Sequence, residues 1–298
     1  NSTLRVGLTD MDIDAEAVLA QKYVDVTRSA FRRKVLIYPG TTCRVFDGCR
    51  FDGDVVVPPS IGTLVPSVLE LRSAPPILNR LVFANIRPDE LAGVLYSQQP
   101  GTFAATIVGT GSISAPLALA GVLAPSDESS AGPIGRLRVA DAPLKLTPEA
   151  TFEADVVSTD MYDRIDAVAG AEVDGTLRIA APADFYPPPT FDFDLIRGST
   201  TGSFATVIGP AGFRTTMTYN NAGALARFEK LCASDLNNDA LVDDADFSIF
   251  CPAYDLMECS DPSMPANCPA DIDRNGLVDD ADFQLFVNAY DEMICPAH

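Results

Sequence analysis

Cys232-Ala-Ser-Asp235-Leu-Asn237-Asn-Asp239-Ala-Leu241-Val-Asp243-Asp-Ala-Asp246-Phe247 returns 36 residues later as Cys268-Pro-Ala-Asp271-Ile-Asp273-Arg-Asn275-Gly276-Leu277-Val-Asp279-Asp-Ala-Asp282-Phe283. The match extends to Cys259 and Cys295, with 15 of 28 paired positions identical, so the segment is a duplicated unit. Oxygen-bearing side chains fall at loop positions 1, 3, 5, 9 and 12. These are Asp235, Asn237, Asp239, Asp243 and Asp246 in the first copy, and Asp271, Asp273, Asn275, Asp279 and Asp282 in the second. Calcium takes six to eight hard oxygen ligands, and a twelve-residue loop with this spacing supplies them around one tight turn. Position 7 contributes a backbone carbonyl, so apolar Leu241 and Leu277 are acceptable there. The spacing predicts two calcium ions.

A helix is expected after each loop. Phe247, Phe250 and Tyr254, matched by Phe283, Phe286 and Tyr290, recur at i, i+3 and i+7 and make one apolar stripe per helix. These aromatics read as the core between two antiparallel helices. No helix is expected to lead into the second loop, because Pro262, Pro265 and Pro269 precede it within eight residues.

At 298 residues and 47% hydrophobic content the chain can hold two domains with sizeable cores. No apolar run reaches the length of a membrane span. The first residue is Asn1 rather than Met, which reads as a mature or excised fragment. Net charge is −20, and residues 231–298 carry 15 Asp and Glu against Arg274 alone, leaving −6 for the other 230 residues. Such a surface attracts metal cations and repels nucleic acid and anionic lipid. The only histidine, His298, is terminal, which argues against a Ser-His-Asp or Cys-His apparatus and against a His-rich zinc site. There is no Trp for an aromatic sugar platform.

Seven cysteines form two groups, Cys43 with Cys49, and Cys232, Cys251, Cys259, Cys268 and Cys295 around the repeats. No C-x-x-C pair exists, so disulfides are favoured over zinc, which implies an oxidising, extracytoplasmic compartment. Cys43 and Cys49 are expected to close their own short turn. Pairing within a repeat conflicts with geometry. A helix of about 12 residues is roughly 18 Å long, whereas bridged Cα atoms lie within about 7 Å.

Residues 1–230 read as short strands between turns. Alternation appears at Leu4 to Leu8, Leu69 to Arg72, Leu144 to Leu146, Phe191 to Leu195 and Thr216 to Tyr219, and β-branched runs lie at Val55 to Val57 and Ala105 to Val108. Asp14 to Gln21 and Pro88 to Leu95 read as single short helices. Many brief strands at near-regular spacing predict a sandwich, barrel or solenoid.

The stretch from Gly109 to Val207 narrows that choice. Gly109-Thr-Gly-Ser-Ile-Ser, Leu119-Ala-Gly121-Val-Leu123-Ala-Pro125, Ile134-Gly135-Arg-Leu137-Arg-Val139 and Leu144-Lys-Leu146-Thr-Pro148 are followed by Phe152-Glu-Ala-Asp155, Tyr162-Asp163-Arg164-Ile165, Gly175-Thr176-Leu177 and Thr201-Gly202-Ser203-Phe204. In that order they resemble the C-terminal coils of autotransporter-type passenger β-helices, over about a hundred residues. The resemblance implies a mainly β chain. A right-handed parallel β-helix-like body would occupy residues 1–230, with a small helical module in residues 231–298.

The duplicated loop–helix units resemble type I dockerin modules, which plug into cohesin domains on extracellular scaffolds. Position 12 is Asp in both copies, as in dockerins. Position 6 is Gly276 in the second loop but Ala240 in the first, where a left-handed backbone costs roughly 1–2 kcal/mol, so the first site is expected to be weaker. Positions 10 and 11, which dockerins use for cohesin contact, are Asp244-Ala245 and Asp280-Ala281. Pro252 and Asn288 stand in the region of the usual Lys-Arg pair. These departures predict the same fold with a partner other than a standard cellulosome cohesin. The antiparallel helices of dockerins imply Cys259–Cys268 and Cys232–Cys295 bridges, with Cys251 free.

Other clusters read as surface. Asp10, Asp12, Asp14 and Glu16 could bind calcium or serve a polysaccharide lyase, but acids at every second position more often mark a solvated strand face. Arg32-Arg33-Lys34 reads as surface, and Asp192 and Asp194 as the polar side of a half-buried strand. No catalytic residue and no organic cofactor site is assigned. The leading function is attachment at a cell surface or in a secreted complex, through a cohesin-like protein or other surface scaffold, with no chemistry in the chain. The alternative is a carbohydrate-active enzyme, or a fragment of one, acting on polysaccharide. Such a body should gather Asp with Arg or Lys in one groove. A calcium-stabilised stalk with no protein partner is the third reading.

Overall fold

A computed structural model describes residues 5–58, 66–73, 75–83, 93–98, 100–126, 134–182, 191–210, 212–237, 239, 241–265 and 268–292. These contain 27 strands, all before residue 231, and two helices after it. The strands form two 11-stranded sheets and one five-stranded sheet. Apart from the last strands of the first sheet, pairing is parallel to the strand one turn of chain later, an arrangement compatible with a parallel β-helix-like body. No helix among the described residues is long and apolar enough to cross a membrane.

Alternation builds the interior. In the first sheet Val24, Cys43, Leu69, Leu95, Ile113, Val139 and Ala167 stand in register, each almost wholly buried. A second inward column runs Val55, Leu81, Ile107, Leu123, Phe152, Leu177 and Val207. Apolar residues at every second position of a strand face one side, and stacking one turn on the next shields them and pairs the backbone groups that an edge would leave bare. At the far end the register turns antiparallel, where Asp192–Arg197 pairs Gly223–Lys230, which in turn pairs Phe213–Tyr219.

The anticipated strands form at Arg5–Thr9, Arg50–Val57, Val68–Leu71, Thr106–Gly109, Leu144–Leu146, Asp192–Arg197 and Phe213–Tyr219. The expected helix over residues 14–21 does not form. Ala17–Leu19 is a strand paired with Val35–Ile37, because Leu19 gains more by joining the core column than an isolated helical turn would keep. Of the other expected helix, residues 88–92 lie outside the described residues, and Val94–Ser97 is a strand. The acidic ladder is a solvated face. Asp10, Asp12 and Asp14 pair Arg28, Arg32 and Arg33 on the following turn, all exposed. Arg28 and Arg32 hold Asp10 and Asp12 below the usual carboxylate range.

Cys43 and Cys49 are not bridged. Both are core residues. Cys43 occupies its place in the inward column between Val24 and Leu69, and the Cys49 thiol donates to the Val26 carbonyl at 3.4 Å. Burial pushes the Cys43 thiol up to about 12.

A separate apolar cluster organises the C-terminal segment, running from Cys232 to Phe286, while the body's cluster runs from Leu19 to Phe228.

Candidate metal centre

Each loop is wound around its own acidic side chains. In the second, the backbone N–H of Asn275 donates to Asp271 Oδ1 at 3.0 Å and to Asp273 Oδ1 at 3.1 Å, and Gly276 N–H donates to Asp271 Oδ2 at 2.9 Å. The first loop repeats this, with Asp239 N–H donating to Asp235 and Asn237 at 3.1 and 2.9 Å. Leu241 and Leu277 donate to Asp239 and Asn275, the same relation in each copy. Gly276 has φ of +93°, the left-handed region that a non-glycine residue enters only with strain. Ala240, its counterpart, lies outside the described residues.

Positions 9 and 12 do double duty. Asp243 caps helix α1, Asp244–Leu256, through Ala245 N–H at 2.8 Å, while Asp246 accepts from Asp243 N–H at 2.9 Å. Asp279 and Asp282 do the same for helix α2, Asp280–Glu292. This reciprocal cap satisfies N–H groups that a helix start leaves bare, so an Asp-x-x-Asp spacing both closes the loop and starts the helix. The remaining Oδ1 atoms reach back across the loop. Asp246 accepts from Leu236 and Asn237, and Asp282 from Ile272 and Asp273.

The helices lie antiparallel. The Tyr254 hydroxyl at the end of α1 donates to Asp280 at the start of α2, and Tyr290 returns the bond to Asp244. Between them Phe250 and Phe286 are buried, with ring centroids 5.0 Å apart, as the aromatic stripes predict. Phe247 and Phe283 sit on the rim, each 41% exposed. Helix α1 continues through Pro252.

Cys259 and Cys268 are bridged, with Cα atoms 5.3 Å apart, closing the proline-rich segment between the units. A Cys232–Cys259 pairing is thereby excluded. Cys232 is also disulfide-bonded, Cys251 is free, and the expected partner of Cys232, Cys295, lies outside the described residues. The Cys259 and Cys268 sulfurs approach Asp271, but bonded to each other they offer no thiolate to zinc.

The donor set tests the calcium reading. Carboxylate oxygens of Asp271, Asp273 and Asp282 all lie within 4.8 Å of one another. Asp246 and Asp282 have no exposed surface, and Asp235 is 1% exposed. Like charges at such spacing repel, and a hard divalent cation relieves that repulsion where a soft metal has no sulfur or imidazole to take. The residues fit calcium. The first loop has Asn237 and Asp239 where the second has Asp273 and Asn275, so each loop offers four carboxylates and one amide.

One constellation escaped the sequence reading. Arg136, Arg164 and Arg197 meet Asp166 and Asp194 on the outer face of the first sheet, with Arg138 in register with Asp166. Arg-x-Arg at 136–138 and Arg-x-Asp at 164–166 carry its only sequence signal. No family model matches the chain, and no curated protein matches it.

Proposed function

We propose that residues 231–298 form a dockerin-like module that binds two calcium ions and attaches the chain to a cohesin-like or other scaffold protein. In this reading residues 1–230 form a right-handed parallel β-helix, the hand that nearly all parallel crossovers take. The protein works in an extracytoplasmic setting, secreted or at a cell surface, and carries no chemistry of its own. Asp235, Asn237, Asp239, Asp243 and Asp246 with the Leu241 carbonyl would hold one ion. Asp271, Asp273, Asn275, Asp279 and Asp282 with the Leu277 carbonyl would hold the other. Bound calcium would neutralise each carboxylate cluster and so stabilise the module. The observation that carries the reading is the convergence of Asp271, Asp273 and Asp282 in a loop that caps its own helix. The bridge between the units agrees with an oxidising compartment.

Calorimetry on the full chain tests it. Two calcium ions should bind, and Asp282→Asn should abolish one site. Stoichiometry of zero, or a module whose helical signal ignores chelator, refutes the reading. A second reading, a body that acts on polysaccharide, is favoured by the arginine–aspartate cluster. Release of reducing ends from an acidic polysaccharide would support it.

A further inference from the structure

Arginines and acids pair across the body's surface, one for one at Arg227 and Asp192, while Asp25 is shared by Arg5 and Arg44. The strands Arg136–Ala140, Arg164–Ala167 and Asp192–Arg197 bring more of these groups together. Arg136 stands in register with Arg164, and Arg138, Asp166 and Arg197 form the adjacent column. Neighbouring strands are about 4.8 Å apart, so like charges are held side by side on the pleat. Asp166 is shared, contacting Arg164 Nε at 3.2 Å and Arg136 Nε at 3.4 Å, while Asp194 takes Arg197 at 2.8 Å. Three guanidinium groups therefore contact two carboxylates, and Arg138 stands in register with Asp166, in a chain whose net charge is −20.

Hydrogen bonding is incomplete there. Arg164 Nε and Asp166 Oδ1 are shut off from solvent and lie 3.2 Å apart, and neither makes a hydrogen bond among the described residues. Tyr162 borders the cluster, half-buried with its ring edge-on to Phe193 at 5.3 Å, and its hydroxyl feels the charges of Arg136, Arg197 and Asp194.

We propose that this outer face of the body is a binding site for a carboxylated sugar. Guanidinium groups only donate, and in pairs they match the planar carboxylate. Asp166 and Asp194 only accept, so they suit a ligand that also presents hydroxyl groups. A sugar acid carries both functions on one small frame, whereas a dense polyanion meets the overall negative field. The site is separate from the calcium loops, so its failure leaves the attachment reading untouched. It is a proposal of binding, and a chain that binds without cleaving separates it from the enzyme reading.

The test follows the arginine Nε–H resonances of the isotope-labelled full chain, with calcium present, as D-glucuronate, D-glucose, acetate or poly-L-glutamate is added. Glucuronate should shift the resonances of Arg136, Arg164 and Arg197, and glucose should not. Arg136→Gln or Arg197→Gln, both at exposed positions, should weaken glucuronate binding about tenfold, the loss of one charge-assisted hydrogen bond, with the circular dichroism unchanged. Acetate binding as tightly as glucuronate shows that hydroxyls are not read and overturns the sugar assignment. Poly-L-glutamate binding more tightly assigns the face to an acidic peptide instead. Glucuronate shifts that survive both substitutions place the ligand elsewhere and overturn the site.

Discussion

Asp163 should make the body less stable as pH rises, and Asp163→Asn should remove that dependence. Its side chain has no exposed surface and gathers three chain segments. Gly135 N–H donates to Oδ1 at 2.6 Å, Asp155 N–H to Oδ2 at 3.1 Å, and the Ser126 hydroxyl lies 2.9 Å from Oδ2 and 2.8 Å from Asp155. One hydroxyl proton cannot serve both carboxylates. Burial pushes the Asp163 carboxyl up to about 6, the neighbouring Asp155 charge adds to the rise, and the three hydrogen bonds only partly offset it. With a folded value above the unfolded 3.8, the group's stabilising contribution is complete below pH 3.8 and is lost as pH rises through 6. A rise of that size corresponds to about 3 kcal/mol, most of it spanned between pH 4 and pH 8. The assay is urea unfolding followed by circular dichroism, since there is no Trp to report. Comparing wild type with Asp163→Asn at each pH cancels the other acids. The variant should gain on wild type by about 2.5 kcal/mol from pH 4 to pH 8. A difference that stays flat over that range refutes the argument that desolvation outweighs the hydrogen bonds.

Three further outcomes are expected. Phe250→Ala or Phe286→Ala should destabilise the C-terminal module by about 3–5 kcal/mol and leave the body's transition in place, because the two apolar clusters are separate; a single shifted transition would contradict this. Thiol titration of the native chain should find Cys251 reactive and Cys43 and Cys49 silent until unfolding, and a second fast thiol would argue against their burial. If the loops hold calcium as proposed, Gly276→Ala should weaken binding at the second loop by about 1 kcal/mol through backbone strain alone, since a Cβ there meets nothing within 4 Å, and Ala240→Gly should tighten binding at the first; equal affinities before and after both changes would remove the strain argument.

The C-terminal segment was the more legible part. A loop of twelve residues that winds on its own side chains and caps its own helix is a local object, so spacing alone reveals it. The aromatic stripe and the proline run state where the helices lie, and the opposition of Tyr254 to Asp280 shows how they pack. Disulfide choice followed from helix length, a local quantity, joined to the antiparallel packing that the dockerin resemblance implied. In the body, alternation disclosed the strands but not their partners. Successive rungs are 18 residues apart at Arg5 and Tyr23, 26 at Thr42 and Val68, and 31 at Ile165 and Ile196, so no fixed period aligns them.

By itself, then, the sequence determined the duplicated loops, their oxygen spacing, the helices that follow and the β character of the first 230 residues. Each of these depends on residues within about a dozen positions of one another. Only the tertiary structure decided that Cys43 and Cys49 are core residues, because six positions along the chain say nothing about which neighbours on the adjoining rungs each will face. It alone set Leu19 in a strand rather than a helix, buried Asp163 beneath three segments, and brought Arg136, Arg164 and Arg197 to one face. In a stacked sheet the strongest neighbours are a whole turn of chain away. Register, fixed by the burial of every second residue along many strands at once, chooses them.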